Sequence, residues 1–264
     1  MELKTDKMIA EKKGGVGWMT FNNPARRNAM SLEMWEAVGE IMDDFSRDPA
    51  IKCCVMAGAG DKAFVSGADI SQFKEKRSDA EAAAEYDRIS SVARERLALF
   101  QKPLIAMIRG YCLGGGLGVA MNADFRIATE DSQFGIPAAR LGISYTFENI
   151  KRLVGLVGPS YAKEILITAR RLNAAEAYKI GLINRVVPVD KLAETIAEYT
   201  DAITQNAPLS MKASKLIIGE ILKDKDERDY EMIDGLKREC FDSNDYKEGR
   251  EAFMEKRKPV FTGT

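Results

Sequence analysis

Residues 108–124 read IRGYCLGGGLGVAMNAD and combine a run of glycines with apolar flanks. The apolar run Leu104–Ile108, just ahead of the glycines, has the length of a strand, and Leu117–Met121, behind them, suits a helix. Gly110 and the consecutive glycines Gly114–Gly116 are predicted to form the turn between the two. A strand, a glycine turn and a helix start direct unpaired backbone N–H groups at whatever lies above the turn. Glycine suits this place because it adopts positive φ and lets a ligand approach the backbone.

The spacing of these glycines narrows the choice of ligand. It differs from G-x-G-x-x-G, and no Gly-Lys-Ser/Thr follows, so the turn fits neither a dinucleotide-binding motif nor a P-loop. We therefore predict a site for an anion, or for an oxyanion that develops during a reaction. A tight turn with a purely structural role is the alternative.

The composition is that of a globular protein with little net charge. The chain has 264 residues, of which 45% are hydrophobic and 30% charged, and its formal net charge is −1. We expect one large domain, or a domain with a helical appendage, and neither nucleic acid nor a membrane as a partner. No apolar run approaches the ~20 residues of a transmembrane helix, and residues 1–13 lack the apolar core of a signal peptide. A cytoplasmic location is therefore expected.

The cysteines and the absence of histidine limit the chemistry. Cys53, Cys54, Cys112 and Cys240 show no C-x-x-C spacing, and the first three are predicted to be reduced core thiols rather than part of a disulfide or a metal site. The sequence contains no histidine, which excludes Ser-His-Asp catalysis, Cys-His catalysis and any histidine general base. A reaction must therefore use carboxylates, Lys, Tyr, Cys or backbone groups.

Hydrophobic periodicity predicts strands mixed with helices in the first half of the chain and helices in the second. Strands are expected at Met8–Lys12, Val16–Phe21, Cys53–Ala57, Leu104–Ile108, Asp124–Ala128 and Gln133–Ile136. Helices are expected from the N-cap Ser31 to about Arg47, and at Glu81–Gln101, Glu148–Val154, Pro159–Ala169, Ala174–Ile180, Lys191–Gln205, Pro208–Leu222, Glu227–Phe241 and Asp245–Glu255. Residues 72–80 are predicted to form a loop or a frayed helix entrance. This order indicates an α/β fold.

Five motifs follow one another in an order that is typical of one known family. They are Asn23-Pro24-x-x-x-Asn28-Ala29-Met30, Ala63-Phe64-x-x-Gly67-Ala68-Asp69-Ile70, Gly110-x-x-x-Gly114-Gly115-Gly116, Phe134-Gly135-x-Pro137 and Ala174-Ala175-Glu176-Ala177-x-x-Ile180-Gly181-Leu182-x-Asn184. Over nearly its whole length the chain thereby resembles the crotonase (enoyl-CoA hydratase/isomerase) family. The resemblance implies a ββα spiral core in residues 1–200 and a C-terminal helical trimerisation region in residues 201–264, with a homotrimer or a dimer of trimers as the assembly. It also implies an acyl-CoA substrate, with coenzyme A present only as part of that substrate and no permanently bound cofactor.

By the same resemblance, the thioester carbonyl lies between the backbone N–H groups of Ala68 and Gly115. Two fixed donors in a dry site stabilise a thioester enolate, and one such donor is commonly worth ~3 kcal/mol. The resemblance therefore implies an oxyanion hole at the glycine turn, in agreement with the oxyanion site predicted from the glycines.

The resemblance also implies where coenzyme A binds. Family members hold adenine and pantetheine near the position of Ala29 and along a short segment. The residues of that segment here are Ser66, Gly67, Asp69, Ile70 and Ser71. Arg27 is placed to meet the CoA phosphates, with a solvated surface arginine as the alternative, and Asp69 is expected chiefly as a loop anchor. Phe253 and Lys256 are candidates to reach the CoA of a neighbouring subunit.

Two positions depart from the family pattern. Hydratases of the family carry two glutamates that transfer the protons of water, and the matching positions here hold Gly118 and Ala138. Neither residue accepts a proton, so hydration by the usual pair of glutamates is not expected.

Tyr145 is a candidate to replace this machinery. Family members that resemble methylmalonyl-CoA decarboxylase have a tyrosine at the matching position, and decarboxylation needs an oxyanion hole and an orienting hydroxyl but no strong base. Against this, those members have a bulkier residue at the position of Ala68 and keep the carboxylate that Gly118 lacks. A packed core tyrosine with a satisfied hydroxyl is the alternative.

Glu148 is the nearest remaining acid in the sequence, either as a catalytic group or at the positive end of the helix that follows. Three hypotheses result. Decarboxylation of a malonyl-type CoA thioester comes first, and hydration managed by Tyr145, Glu148 or another side chain comes second. The third is an acyl-CoA-binding protein without turnover.

Overall fold

The computed structural model describes residues 1, 3–69 and 80–264, and its strands form two sheets. The strands are β1 (Met8–Lys13), β2 (Val16–Phe21), β3 (Cys53–Gly58), β4 (Ala63–Val65), β5 (Leu104–Ile108), β6 (Tyr111–Leu113), β7 (Phe125–Thr129), β8 (Gln133–Gly135), β9 (Leu172–Asn173) and β10 (Arg185–Val187). The larger sheet has the order β1-β2-β3-β5-β7-β10 and the smaller has β4-β6-β8-β9. β1 and β9 run antiparallel to their neighbours, and the other pairs are parallel.

The helices lie where periodicity predicts them, with ends that differ by a few residues. They are α1 (Leu32–Arg47), α2 (Ala80–Ala98), α3 (Gly115–Ala120), α4 (Phe147–Thr168), α5 (Ala174–Lys179), α6 (Leu192–Thr204), α7 (Pro208–Ile221), α8 (Tyr230–Asp242) and α9 (Asn244–Glu255). α4 contains a kink at Gly158, where φ is +74°, so the two predicted helices join into one bent element. Among the described helices, none combines the length and the apolar character that crossing a membrane requires.

A repeated strand–strand–helix unit builds the core. β3, β5 and β7 lie in the larger sheet, and each is followed by a strand of the smaller sheet, namely β4, β6 and β8. The helices α2, α3 and α4 then complete the three units. This arrangement confirms the predicted α/β fold with a crotonase-like ββα core.

Gly110 marks the place where the chain passes from the larger to the smaller sheet. Its φ is +68°, and a Cβ there would lie 2.2 Å from the carbonyl oxygen of Lys62, so only glycine fits. The prediction that the glycine turn directly follows Leu104–Ile108 was wrong, because β6 (Tyr111–Leu113) lies between them. A strand of three residues is too short to produce a periodic signal.

The hydrophobic core lies mainly between the sheets and the helices α1 and α2. Cys53, Cys54 and Cys112 are fully buried and free, as predicted. Burial raises the pKa of Cys53 to about 12 and that of Cys112 further still, so both remain protonated thiols.

The predictions for the Ser31 cap, the loop at residues 72–80 and the division at residue 200 have different outcomes. Ser31 stands at the N-cap of α1 as predicted, but within the described part of the chain its hydroxyl donates to Glu33 (3.2 Å) rather than accepting from the helix backbone. The predicted loop at residues 72–80 lies outside the described residues up to residue 79, and residue 80 begins α2. The division at residue 200, which falls within α6, stays a prediction.

Candidate active site

The glycine turn is held between the second sheet and the first turn of α3. Gly114 has φ +51° and donates its N–H to the carbonyl of Gly135 (2.8 Å), while Gly115 begins the helix. A Cβ on Gly116 would lie 2.0 Å from the carbonyl oxygen of Val65, so β4 packs directly on the helix start. Glycine at this position therefore allows a contact that no other residue permits.

A backbone bridge places Ala68 beside this turn. Met30 donates to Gly67 (2.8 Å) and accepts from Asp69 (2.9 Å). Because successive groups of an extended segment point to opposite sides, the N–H of Ala68 faces away from Met30. A Cβ on Gly115 would lie 3.9 Å from the Ala68 nitrogen.

The two predicted oxyanion donors are thus neighbours in space. Neither the N–H of Ala68 nor that of Gly115 has a hydrogen-bond acceptor among the described residues. Two unpaired N–H groups side by side, one of them at a helix N-terminus, are what a developing oxyanion requires.

Asn28 fixes the segment on which the predicted CoA contacts lie. It is fully buried at φ +56°, and its amide nitrogen donates to the carbonyls of Ala63 (2.7 Å) and Ala59 (3.0 Å). The N–H of Ser66 donates to the carbonyl of Arg27 (3.1 Å), so residues 66–69 run beside residues 26–30. The structure therefore brings together Ala29, Ser66, Gly67 and Asp69, whereas Ile70 and Ser71 lie outside the described residues.

Arg27 is exposed but not free of contacts. Its guanidinium lies 5.4 Å from the ring centroid of Tyr111, and the guanidinium of Arg171 lies 5.3 Å from the same centroid. Neither cation forms an ion pair with a described carboxylate. Sequence reasoning missed Tyr111 and Arg171, because 84 and 144 residues separate them from Arg27, as the numbering shows.

Tyr145 fills the space above Gly118. A Cβ on Gly118 would lie 3.0 Å from the tyrosine hydroxyl oxygen, which in turn donates to the carbonyl of Gly114 (2.8 Å). The ring packs against the hydrophobic core, and desolvation raises the pKa of the hydroxyl above its ordinary value. Tyr145 is thus a neutral donor that touches the turn carrying Gly115.

Asn149 lies beside Tyr145 and was missed in the sequence. Its side-chain oxygen and nitrogen lie 3.6 and 3.7 Å from the position of a Cβ on Gly118, and the residue is only 7% exposed. Asn149, Leu153 and Val157 share the buried stripe of α4. A polar residue on an otherwise apolar stripe was the signal that could have found it.

Two further positions from the sequence analysis, Glu148 and Ala138, are described by their burial and their neighbours. Glu148 is exposed in the first turn of α4, where its charge favours the helix dipole, but the hydrogen-bonding cap is Thr146, whose hydroxyl accepts from the backbone of Asn149 (3.4 Å). Ala138 is buried directly after Pro137, and the Cδ atom of Pro137 lies 3.8 Å from the position of a Cβ on Gly114.

The predicted contacts to a neighbouring subunit lie on the surface of the last helix. Phe253 is 82% exposed on α9, and Lys256 follows the helix end at φ +55°. Their role toward a neighbour's CoA stays a prediction.

Comparison with known proteins places this geometry in context. The family model described as enoyl-CoA hydratase/isomerase matches residues 11–264. The chain is 35% identical to a short-chain-enoyl-CoA hydratase of Clostridium acetobutylicum, over 97% of each protein. It is 32% identical to the methylmalonyl-CoA decarboxylase of Escherichia coli, over 94% of this chain and 95% of that protein.

The fold is shared with solved structures as well. The crystal structure of an enoyl-CoA hydratase/carnithine racemase from Magnetospirillum magneticum superposes with a TM-score of 0.93 at 34% identity. The superposition covers 99% of this chain and 97% of that one.

Proposed function

Because the chain belongs to the enoyl-CoA hydratase/isomerase family, we propose that it decarboxylates a malonyl-type CoA thioester through an enolate. The enolate oxygen is bound by the N–H groups of Ala68 and Gly115. One observation carries the proposal. Above Gly118 stand the neutral hydroxyl of Tyr145 and the neutral amide of Asn149, where a hydratase of the family would hold a carboxylate.

The reaction needs few groups from the protein. The bond between the α-carbon and the carboxylate carbon breaks, and carbon dioxide leaves. The electron pair moves into the thioester and forms an enolate, and a proton from solvent then adds to the α-carbon to give the acyl-CoA. A strong base is not required, since the departing carboxylate provides the electrons.

The two backbone donors supply the main stabilisation in this proposal. Charge builds up on the thioester oxygen in the transition state, and each fixed donor in such a site is worth ~3 kcal/mol. The donors are part of the turn and the bridge, so they need no reorganisation when the charge develops.

We assign the CoA part of the substrate to the surface around Arg27, Tyr111 and Arg171. Two guanidinium groups share the ring of Tyr111 without a described carboxylate beside them. Such a pair suits the phosphates of coenzyme A, which it can meet with charge-assisted hydrogen bonds.

Hydration is the second candidate, and it is favoured by the names of two relatives. The chain is also 36% identical to a crotonyl-CoA hydratase of Syntrophomonas wolfei, over 97% of this chain and 98% of that protein. For this reaction the three atoms nearest to a Cβ on Gly118 offer only neutral groups to a water molecule.

One assay separates these candidates. The purified protein is given malonyl-CoA and methylmalonyl-CoA, with released carbon dioxide as the readout, and crotonyl-CoA, with loss of the enoyl absorbance as the readout. We expect carbon dioxide release and little hydration. Fast hydration without carbon dioxide release would contradict the proposal, and binding of all three thioesters without turnover would indicate an acyl-CoA-binding protein.

Gly115→Pro is the matched variant for the oxyanion hole. Proline is well tolerated at the first position of a helix and removes only the N–H group there. We expect turnover to fall by about 100-fold or more while the helix is retained, as measured by circular dichroism. Activity at the wild-type level would remove Gly115 from the mechanism.

A further inference from the structure

The carboxamide of Asn149 is a buried polar group whose oxygen has no partner. The residue is 7% exposed, and its Oδ1 atom makes no hydrogen bond with any described group. Most buried polar atoms in native proteins are paired, so an exception calls for an explanation.

A structural role does not explain this side chain. The backbone N–H of Asn149 is the group that Thr146 caps, and any residue other than proline would offer it. The same stripe of α4 continues with the apolar Leu153 and Val157, so leucine would suit position 149. A buried amide oxygen without a partner lowers stability, and the retention of the amide therefore points to a ligand.

The location of the amide defines what it can reach. Gly118 lies three residues after Gly115 on α3, which is about 4.5 Å along the helix and on the same face. A thioester whose oxygen sits at the N–H of Gly115 therefore presents a substituent of its α-carbon toward Gly118. Asn149 and Tyr145 both border that position.

We propose that Asn149 is a specificity-determining residue that binds the carboxylate on the α-carbon of the acyl group. This inference rests on the proposed function. Rotation of the carboxamide presents its NH₂ group as the donor, while the neighbouring Tyr145 hydroxyl donates its one proton to the carbonyl of Gly114 (2.8 Å). The carboxamide is neutral, so it orients the carboxylate without the strong ground-state stabilisation that a Lys or Arg would give to a group that must leave as carbon dioxide.

The test uses Asn149→Leu and a ligand that cannot react. In sulfoacetyl-CoA a sulfonate replaces the carboxylate, and acetyl-CoA is the same ligand without an acidic group. Isothermal titration gives the ratio of their affinities for each protein. We expect wild type to prefer sulfoacetyl-CoA, and Asn149→Leu to lose about tenfold or more of that preference, because a hydrogen bond to a charged group is lost.

Thermal unfolding of the same variant supplies the second readout. Since the amide oxygen has no partner, Asn149→Leu should have a melting temperature equal to or above that of wild type. Asn28→Leu is the control, because Asn28 is a buried asparagine whose side chain makes three hydrogen bonds, and its loss should lower the melting temperature.

The outcomes keep the two proposals apart. An unchanged affinity ratio, or a fall in melting temperature like that of Asn28→Leu, would overturn the role of Asn149 whatever the enzyme catalyses. A wild-type protein that releases no carbon dioxide from malonyl-CoA would overturn the proposed function. If such a protein still prefers sulfoacetyl-CoA through Asn149, the carboxylate site stands on its own.

Discussion

The hydroxyl of Tyr145 has two relations to the site. It donates to the carbonyl of Gly114 (2.8 Å), which joins the segment just before α4 to the glycine turn, and it occupies the space that a side chain at position 118 would need. The alternative interpretation, a packed tyrosine with a satisfied hydroxyl, therefore describes part of the geometry. The same bond also steadies the turn that carries the Gly115 N–H, so a structural and a functional role coincide.

Tyr145→Phe should separate these roles. The loss of one neutral hydrogen bond should lower the free energy of unfolding by about 1 kcal/mol. We expect kcat for malonyl-CoA to fall by about tenfold or more, with the affinity for acetyl-CoA within about twofold of wild type. Steady-state kinetics and titration calorimetry provide the two readouts, and an unchanged kcat would assign Tyr145 to packing alone.

The pH profile should not contain the ionisation of Tyr145. Burial raises its pKa above the ordinary value, so the hydroxyl keeps its proton through the neutral and moderately alkaline range. The rates of wild type and Tyr145→Phe should therefore have the same shape between about pH 6 and pH 9. If the pH–rate profile of wild type rose or fell in this range and that of Tyr145→Phe did not, the result would contradict a neutral Tyr145 hydroxyl.

Position 118 is where the resemblance predicts a carboxylate in a hydratase, so a glutamate introduced there tests the prediction. In Gly118→Glu the new Cβ would lie 3.0 Å from the hydroxyl of Tyr145, which is too close for an ordinary contact. Combining it with Tyr145→Phe removes that contact, and the next atoms lie at 3.6 Å. We expect the double variant to hydrate crotonyl-CoA faster than wild type, and a folded double variant without any gain would show that the site needs more than this carboxylate.

At the scale of elements, the close approach of β4 to the start of α3 positions the site. Gly116 permits this approach, because it has no Cβ to meet Val65. The bridge between Met30 and Ala68 then holds the segment that follows β4. The oxyanion donors come from two different segments, so their distance depends on how tightly these elements pack.

Gly116→Ala should disturb that packing. The added Cβ would meet the carbonyl oxygen of Val65 at 2.0 Å, and a backbone atom cannot move aside as a side chain does. We expect a loss of about 1–3 kcal/mol in the free energy of unfolding, together with lower activity. Gly155→Ala is the matched control in an exposed part of α4 where nothing lies within 4 Å, and it should gain up to about 1 kcal/mol. Denaturant titration measures the free energy of unfolding of both variants. Equal values for Gly116→Ala and Gly155→Ala would show that Gly116 is replaceable.

Glu248 lies on α9 and forms hydrogen bonds with the C-terminal segment. It accepts hydrogen bonds from Arg257 (2.6 and 2.9 Å) and from the backbone of Val260 (2.8 Å), and chiefly the bond from Arg257 lowers its pKa from 4.5 to about 2. A carboxyl whose pKa is lower in the folded state stabilises that state above its ordinary pKa and loses this effect as the pH falls toward 2.

The measurement compares wild type with Glu248→Gln. The melting temperature of the variant should be lower at neutral pH, and the difference should shrink as the pH is lowered from about 4.5 toward 2. A difference that stays constant over this range would show that the charge of Glu248 does not fasten the tail.

At the scale of the whole molecule, the last helix, α9, and the segment that follows it expose large apolar side chains. Phe253 and Met254 are each 82% exposed, and Val260 is 73% exposed. We predict that this region joins copies of the chain into a homotrimer or a dimer of trimers, as the resemblance implied. Sedimentation velocity should show that assembly, and Phe253→Ser should weaken it, whereas a monomeric wild type would contradict the prediction.

The family, the α/β fold and most elements were predictable from the sequence. Long helices such as α1 and α4 bury a stripe with a period of 3.6 residues, and β3 and β5 are continuous apolar runs, so each carries its own signal. The absence of histidine and the identities of Gly118 and Ala138 were likewise readable from the sequence, because they need no knowledge of the fold.

The tertiary structure alone decided which groups meet at the site. Short strands such as β6 form because a neighbour supplies their hydrogen bonds, and three residues do not encode that neighbour. Asn149 stands 31 residues after Gly118, and Arg171 stands 60 residues after Tyr111, as their numbers show. Sequence determines local periodicity and chemical identity, whereas the distance between groups far apart in the chain is set by packing of the whole core.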